Sequence, residues 1–226
     1  MTLVLLFNSY FKKYPETLRD IMKSDFNDHL IDAKLHINTT GRNDRFSDAF
    51  LYPYEATSYT VLDRLTESGL IKKTDILLDY GSGKGRVPIY LSYKTGCRSI
   101  GVEIMSEFYE DALSNLSCCH KVFDASGVSF IQYSAQKYEV PDDVNLVFFF
   151  NPFSIEIFKS VIANILDTYY RNPRHILLFF YYPQDEYIVY LSSVDEISFY
   201  DEIDCTDLFP ENDSRNSIMI FELSTG

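Results

Sequence analysis

The sequence predicts an α/β fold, in which helices flank an open and mostly parallel β-sheet. Residues 76–78 are a short apolar strand that breaks into a glycine-rich loop, and a helix follows the loop. A second strand, residues 98–102, ends at an acid. Residues 145–150 are largely apolar, as expected of a central strand that is buried on both faces of a parallel sheet.

The first part of the chain is predicted to be a helical cap. Apolar residues recur at helical spacing from Leu3 to Met22, and Pro15 indicates two helices rather than one. We expect the cap to pack against the main domain rather than to grip a substrate, because apolar periodicity by itself indicates burial. The cap and its connection are assigned to residues 1–50, and the main domain to residues 51–226.

Between the cap and the first strand, the pattern changes several times. Lys34 to Ile37 alternates like a strand, and the polar residues 38–47 are typical of a loop. A tyrosine-rich stretch then leads into an amphipathic helix, with Gly69 near its end and apolar positions at Val61, Leu62, Leu65 and Leu70. Thr57 or Ser58 could cap this helix by accepting its first free N–H groups.

The glycine-rich loop and two acids carry the chemical signal. Gly81, Gly83 and Gly85 permit a tight turn and a close approach to a ligand, but their spacing matches neither a P-loop nor a dinucleotide-binding loop. Asp79, just before the loop, would repel a pyrophosphate and favour an ammonium or sulfonium group. Glu103, about twenty residues beyond the loop, can accept both hydroxyls of a ribose. These residues point to a positively charged nucleoside.

The pattern Asp79-x-Gly81-x-Gly83-x-Gly85, followed by Gly101-Val102-Glu103, resembles the class I S-adenosylmethionine-dependent methyltransferases. The resemblance extends roughly from Tyr52 to the C-terminus. It implies a Rossmann-like, seven-stranded sheet that is mostly parallel and has an antiparallel edge hairpin. It also implies S-adenosyl-L-methionine as the cofactor and methyl transfer as the activity.

The resemblance assigns a part of the cofactor to each segment. Asp79 and the loop, with Ser82 between its first two glycines, would hold the methionine part, and Glu103 the ribose. The segment Ser134-Ala135-Gln136 would contact the adenine, although many relatives have an acid where this chain has Ser134. Further candidates are Tyr54, Glu55 and Thr57, which would cover the methionine end or line the substrate entrance. Arg86 and Lys84 either contact the cofactor or neutralise nearby carboxylates.

A second motif, Asn151-Pro152-Phe153-Ser154, follows the strand at residues 145–150. Asn151 should face the same crevice as Asp79 and Glu103, because ligands bind outside the carboxyl ends of strands in open α/β sheets. The motif resembles the Asp/Asn-Pro-Pro-Tyr/Phe signature of methyltransferases that modify amino nitrogens, but it has only one proline. The resemblance implies that Asn151 and a backbone carbonyl accept substrate N–H groups while Phe153 stacks on the substrate. The alternative is a simple Asn-Pro turn.

The remaining elements complete the predicted fold. A helix from Ser106 to Leu116 would carry Phe108, Ala112 and Leu113 on one side. Three further segments are expected in order, followed by the edge hairpin: a strand at 128–133, a helix at 154–170, a strand at 175–182, and hairpin strands at 197–201 and 217–223.

Composition limits the classes of function. The formal net charge of −13 and the pI of about 4.6 disfavour duplex nucleic acid as a partner, and favour a small molecule or a basic protein segment. The four cysteines show no metal-binding spacing, the adjacent Cys118-Cys119-His120 indicates packing or a helix end, and the scattered histidines indicate no nucleophilic triad. Residues 1–7 are apolar but too short for a membrane span. We therefore expect a cytoplasmic protein that binds no metal.

Two other functions stay open at the level of sequence. One is a regulatory protein that binds S-adenosylmethionine without turnover. The other is a nicotinamide-dependent oxidoreductase.

Overall fold

The computed structural model describes residues 16–43, 52–210 and 213–224, and it describes side chains in the first helix from residue 26 onward. The helices are α1 (Glu16–Leu35), α2 (Tyr59–Glu67), α3 (Arg86–Thr95), α4 (Ser106–Cys119), α5 (Ile155–Arg171) and α6 (Asp185–Leu191). The strands are β1 (Arg42–Asn43), β2 (Tyr54–Glu55), β3 (Ile76–Tyr80), β4 (Arg98–Glu103), β5 (Val128–Gln132), β6 (Leu146–Phe149), β7 (Ile176–Tyr181), β8 (Ser198–Asp204) and β9 (Ser217–Leu223).

Seven strands form one sheet in the order β5-β4-β3-β6-β7-β9-β8. Strands β3 to β7 are parallel, whereas β9 runs antiparallel to both β7 and β8. This arrangement confirms the predicted α/β class and the antiparallel edge hairpin. The chain order reverses at β3, which lies between β4 and β6. A crevice is expected at the carboxyl ends of the strands at such a reversal.

The central strands β3, β6 and β7 are buried on both faces, and the alternation of side chains along them divides the core in two. Phe148 packs in the cluster that contains α2 and α3, while the next residue, Phe149, packs with α5 on the opposite face. The Phe149 ring stacks on Phe180 of β7 with ring centroids 4.8 Å apart. The carboxyl ends of these buried strands carry the predicted site.

Most predicted elements are confirmed within a few residues, but three local predictions are wrong. Lys34 to Ile37 is not a strand, because α1 continues to Leu35 and His36 then adopts a left-handed backbone with φ of 60°. The N–H of Ile37 donates to the carbonyl of Asp32 (2.9 Å) and closes the helix end. The alternating burial at residues 34–37 therefore comes from a helix terminus.

Leu113 does not share the buried side of α4 with Phe108 and Ala112; it is 40% exposed. Leu113 lies five residues after Phe108, so its side chain points about 140° away from that of Phe108 around the helix axis. Asn115 is buried on that side instead, and its Nδ2 donates to the carbonyl of Lys84 (2.9 Å). Similarly, Leu70 lies beyond the end of α2 at Glu67 rather than within the helix.

Helix α1 begins at Glu16, directly after Pro15, where the sequence predicts a break. The predicted helix before Pro15 and the expected boundary between residues 50 and 51 lie outside the described residues. Among the helices that the structure describes, none has both the length and the apolar composition needed to cross a membrane.

Candidate active site

The glycine loop connects β3 to α3 and folds over the end of β4. The N–H groups of Gly81 and Ser82 donate to the carbonyl of Val102, at 2.9 and 3.2 Å. Gly83 has a positive φ of 51°, and a Cβ atom there would overlap the ring of Tyr54. Glycine is therefore needed at this position both for the backbone conformation and for the close approach of Tyr54.

Asp79 lies in β3 just before the loop and is 3% exposed. Burial raises the pKa of Asp79 well above its ordinary value, and the charge of Glu103 raises it further. Asp79 lines a small cavity beneath the loop together with Tyr54, Thr57, Ser82 and Arg86. A cationic group in this cavity would stabilise the ionised carboxylate.

Glu103 closes β4 and accepts hydrogen bonds from three backbone N–H groups. They belong to Gly83 (2.9 Å, to Oε2) and to Ile104 and Met105 (both 2.8 Å, to Oε1). Burial raises the pKa of Glu103, while these hydrogen bonds oppose the shift. The bond to Gly83 ties the second acid directly to the glycine loop.

An open cleft of about 870 Å³, including its mouth, lies above the carboxyl ends of the parallel strands. It brings together most of the residues predicted for the cofactor and the acceptor. Its lining includes Tyr54, Gly81, Glu103, Ser134, Ala135, Gln136, Asn151, Pro152 and Phe153. Asp79, Thr57, Ser82 and Arg86 line the adjoining small cavity, and Tyr54 and Gly81 belong to both.

The segment predicted to contact adenine forms part of the cleft wall. Residues Ala135–Lys137 make one turn of 3-10 helix, and the carbonyl of Gln136 accepts a hydrogen bond from Asn164 Nδ2 of α5 (2.9 Å). Ile104, Met105 and Phe108 contribute apolar surface to the same cleft. None of these three was predicted for the site, although all lie within five residues after Glu103, which is the signal that could have found them.

Asn151 follows β6 and has a left-handed backbone with φ of 40°. Its Nδ2 donates to the carbonyl of Tyr182 (2.6 Å), and within the described part of the chain no hydrogen bond reaches its Oδ1. Tyr182, at the end of β7, is also left-handed, with φ of 49°. Strained backbones of this kind concentrate at functional sites. The amide oxygen of Asn151 is thus positioned as a hydrogen-bond acceptor beside the cleft.

The structure does not support the predicted stacking role of Phe153. Its side chain is 3% exposed and packs edge-on against Tyr80 and Phe149, with ring centroids 6.4 and 6.5 Å away. The hydroxyl of Tyr187 also donates to its carbonyl. Phe150 and Phe153 both line the cleft, but Phe150 is the less deeply buried of the two, so it is better placed to contact a substrate. No pattern in the sequence distinguishes these two neighbouring rings.

A second cleft meets the first at Asn151, and the two share Tyr52, Pro53, Glu55 and Phe150. Its other walls come from β1, the end of β7 and the segment before β9. They include Arg42, Tyr181, Tyr182, Gln184, Phe209, Pro210, Asp213 and Asn216. Most of these residues were missed, because they come from distant parts of the chain and carry no local motif.

Neither Thr57 nor Ser58 caps α2. The Ser58 side chain makes no capping hydrogen bond at its N-cap position, and Asp28 of α1 accepts the N–H of Tyr59 instead (3.1 Å). Thr57 is buried, and its carbonyl accepts a hydrogen bond from Arg86 (3.0 Å). The cap expected from local sequence is thus supplied by a different helix.

Lys84 and Arg86 both neutralise carboxylates, as one of the two interpretations predicts. Lys84 Nζ lies 3.7 Å from a carboxylate oxygen of Asp111, and Arg86 pairs with Asp28. Cys118 and Cys119 end α4, at the helix end where they were expected. In the part of the chain that is described, no three His, Cys, Asp or Glu side chains cluster as a metal site would require.

Residues 44–148, somewhat less than half of the chain, match the family described as histone methylation protein DOT1. A curated histone-lysine N-methyltransferase of Dictyostelium discoideum, specific for histone H3 lysine-79, is 40% identical over 68 residues. That match covers 30% of this chain and 4% of the Dictyostelium protein. This chain thus corresponds to a small part of that relative.

Solved structures with the same fold include an RNA methyltransferase from Salinibacter ruber in complex with S-adenosyl-L-homocysteine. It has a TM-score of 0.50 and 18% identity, over 76% of this chain and 95% of that one. Another is the magnesium protoporphyrin IX methyltransferase of Synechocystis PCC 6803 with bound S-adenosylmethionine, with a TM-score of 0.52 and 14% identity, over 74% and 77% of the two chains. These two structures share the fold of this chain, and its seven-stranded topology and acid-glycine motif are the features that carry its resemblance to the class I S-adenosylmethionine-dependent methyltransferases.

Proposed function

We propose that this protein transfers the methyl group of S-adenosylmethionine to an amino nitrogen of a protein side chain, with lysine as the favoured acceptor. The observation that carries the proposal is the placement of two buried carboxylates, Asp79 and Glu103, at the ends of adjacent strands beside one glycine loop. The similarity to a lysine-specific methyltransferase supports the choice of acceptor.

The residues present fit the proposed cofactor. Asp79 offers a buried carboxylate to an ammonium group, and Glu103 offers acceptor oxygens to ribose hydroxyls. Among the described residues, the Ser82 hydroxyl is buried without a hydrogen-bond partner, so it is available to a polar ligand group in the small cavity. The bound sulfonium would supply an activated methyl group, and the protein would chiefly orient the in-line attack of the acceptor.

The second cleft supports entry of the acceptor from the side of β7. It is lined by aromatic rings, including Tyr52, Phe150 and Tyr182, and it meets the cofactor cleft at Asn151. The Oδ1 of Asn151 would accept an N–H of the amine and direct the nitrogen lone pair toward the methyl group. During transfer the nitrogen–carbon bond forms as the carbon–sulfur bond breaks. The acceptor amine must be neutral when it attacks, so its ammonium form first loses one proton to solvent, and the methylated nitrogen then carries the positive charge that leaves the sulfur.

The experiment incubates the protein with radiolabelled S-adenosylmethionine and separate pools of core histones, total protein, nucleic acid and metabolites. We expect label on lysine in the protein pools. Replacing Asn151→Ala should lower transfer at least about tenfold, because one oriented hydrogen bond is lost, while affinity for S-adenosylhomocysteine stays within about twofold.

Asn172→Ala is the matched control, because this exposed residue also donates through Nδ2 to a carbonyl, that of Asp142 (2.8 Å). It should transfer methyl groups like the wild type. If only the metabolite pool takes up label, the acceptor is a small molecule rather than a protein. Tight binding of S-adenosylhomocysteine without label in any pool would instead identify a non-catalytic binding protein.

We further propose that the protein works in the reducing environment of the cytoplasm. All four of its cysteines are free, and three of them are buried. Fractionation of the source cells, followed by immunodetection, tests this proposal. Recovery in an oxidising compartment would contradict it.

A further inference from the structure

Arg86 is the first residue of α3, directly after the glycine loop, and it is 2% exposed. Its guanidinium reaches two segments that are distant from it in sequence. Nε donates to Thr39 Oγ1 (2.7 Å), Nη2 donates to Thr40 Oγ1 (2.9 Å), and Nη1 donates to the carbonyl of Thr57 (3.0 Å). One side chain therefore joins the loop, the turn after α1 and the segment before α2.

Two acids of α1 complete this cluster. Asp28 and Asp32 lie one helical turn apart, and both are buried. Nη1 of Arg86 pairs with Asp28, and Nη2 lies 3.8 Å from Asp32 Oδ1. The hydroxyls of Thr39 and Thr40 donate to Asp32 at 2.7 and 3.0 Å, so they bridge it to the guanidinium. Arg86 is thus the cation that compensates the buried acids of α1.

The same turn is connected to the wall of the cofactor cleft. The carbonyl of Thr39 accepts a hydrogen bond from the hydroxyl of Tyr54. The Tyr54 ring lies against Gly83 and 4.9 Å from the ring of Phe108, and both rings line the cleft. A shift of the turn that holds Arg86 would therefore move the cleft wall. These contacts form a continuous path from α1 to the cofactor loop.

We propose that Arg86 is a positioning residue that makes α1 part of the cofactor site. By holding Thr39, Thr40 and Thr57 together, it fixes Tyr54 over the glycine loop. Docking of α1 and binding of the cofactor then stabilise each other, since coupling between two binding events is reciprocal. The proposal rests on the proposed function only in taking S-adenosylmethionine or its product as the ligand.

The test uses the full chain and two measurements with S-adenosylhomocysteine: its affinity by calorimetry, and amide hydrogen exchange with and without it. In the wild type, the ligand should slow exchange in residues 26–40 as well as in the loop. Arg86→Lys keeps a positive charge near the acids but loses the planar fork that reaches several partners at once. We expect at least about tenfold weaker binding and loss of ligand-induced protection in residues 26–40.

Tyr54→Phe is the second variant, and it serves if Arg86→Lys does not fold. It removes only the hydroxyl that links the cleft wall to Thr39 and leaves every ion pair in place. It should also lose protection in residues 26–40. Lys94→Gln is the control, because Lys94 lies at the other end of α3 and pairs with Asp63 (2.6 Å). It should match the wild type in both measurements.

The outcomes separate this inference from the proposed function. If wild-type protein binds the ligand but residues 26–40 exchange equally fast with and without it, the inference is wrong and the proposed cofactor stands. Variants that bind within about twofold of the wild type and keep that protection would also overturn it. If the wild type binds no S-adenosylhomocysteine, both proposals fail.

Discussion

At the scale of single residues, the site depends on two acids kept in different surroundings. Glu103 accepts three backbone hydrogen bonds, which stabilise its ionised form against burial. The pKa of Asp79 is raised by burial and by the nearby charge of Glu103. Asp79 therefore has more to gain from a cationic ligand. This difference fits an ammonium group at Asp79 and neutral hydroxyls at Glu103.

The raised pKa of Asp79 predicts a pH dependence of cofactor binding. The folded protein holds the proton of Asp79 more tightly than the unfolded chain does, so ionisation of Asp79 lowers the stability of the free protein as pH rises from the ordinary to the raised pKa. Over the same interval, the carboxylate gains its attraction for the ammonium group of S-adenosylhomocysteine. Affinity should therefore increase as pH rises through that interval.

Calorimetry between about pH 5 and pH 8 measures this dependence. Asp79→Asn should weaken binding and flatten the curve, and the slope that persists should come from Glu103, whose pKa is also raised. An affinity that is independent of pH in the wild type, or a slope unchanged in Asp79→Asn, would show that Asp79 does not hold the ammonium group.

At the scale of elements, the loop between β3 and α3 is shaped by what packs on it. Tyr54 lies on Gly83, Phe130 lies beneath Gly85, and Pro152 lies against Gly81. The three contacting residues come from β2, β5 and the end of β6. The loop is therefore held by elements from most of the chain, although its glycine pattern is local.

Gly83→Ala tests this packing. The backbone is left-handed, which costs an ordinary residue about 1–2 kcal/mol, and the added Cβ would also overlap the Tyr54 ring. We expect a loss of unfolding free energy above that range in urea titrations, together with weaker binding of S-adenosylhomocysteine.

Gly69→Ala is the matched control for backbone strain. Its φ of 70° is also left-handed, but the nearest atom to an added Cβ would be Lys72 Nζ at 3.8 Å. This variant should lose about 1–2 kcal/mol of unfolding free energy and bind S-adenosylhomocysteine like the wild type. Equal losses in the two variants would mean that the contact with Tyr54 contributes nothing.

At the scale of the whole molecule, the strand order brings the site residues together, and the net charge bears on which partners the protein attracts. Because β4, β3, β6 and β7 are parallel neighbours, their carboxyl ends bring Glu103, Asp79, Asn151 and Tyr182 to one edge of the sheet. The net charge of −13 adds a long-range attraction for basic protein segments. The fold thus supplies the site, and the overall charge agrees with the basic protein acceptor that we propose.

Attraction between unlike charges predicts that salt weakens methylation of a basic protein. Raising ionic strength from about 0.05 to 0.3 M shortens the range of electrostatic interactions, so kcat/KM should fall several-fold. The affinity for S-adenosylhomocysteine should change much less, because its proposed contacts are buried. If kcat/KM is insensitive to salt, acceptor recognition does not depend on the net charge.

The sequence by itself determined the α/β class, the order of most elements and the cofactor signal. These depend on residues close together in the chain: an apolar strand, an acid at its end and glycines that permit the turn. The segments after β5 and after β6 were likewise found because each follows a recognisable strand. Such features can be predicted because their physical cause is local.

Tertiary structure alone decided which side chains face the clefts and which partners hold them in place. It turned Phe153 inward, paired Asn151 with Tyr182, and supplied the cap of α2 from Asp28. It also joined Arg86 to residues that lie 29 to 58 positions away in the chain. Contacts between such distant residues form only when the elements pack together, so no short stretch of sequence records them.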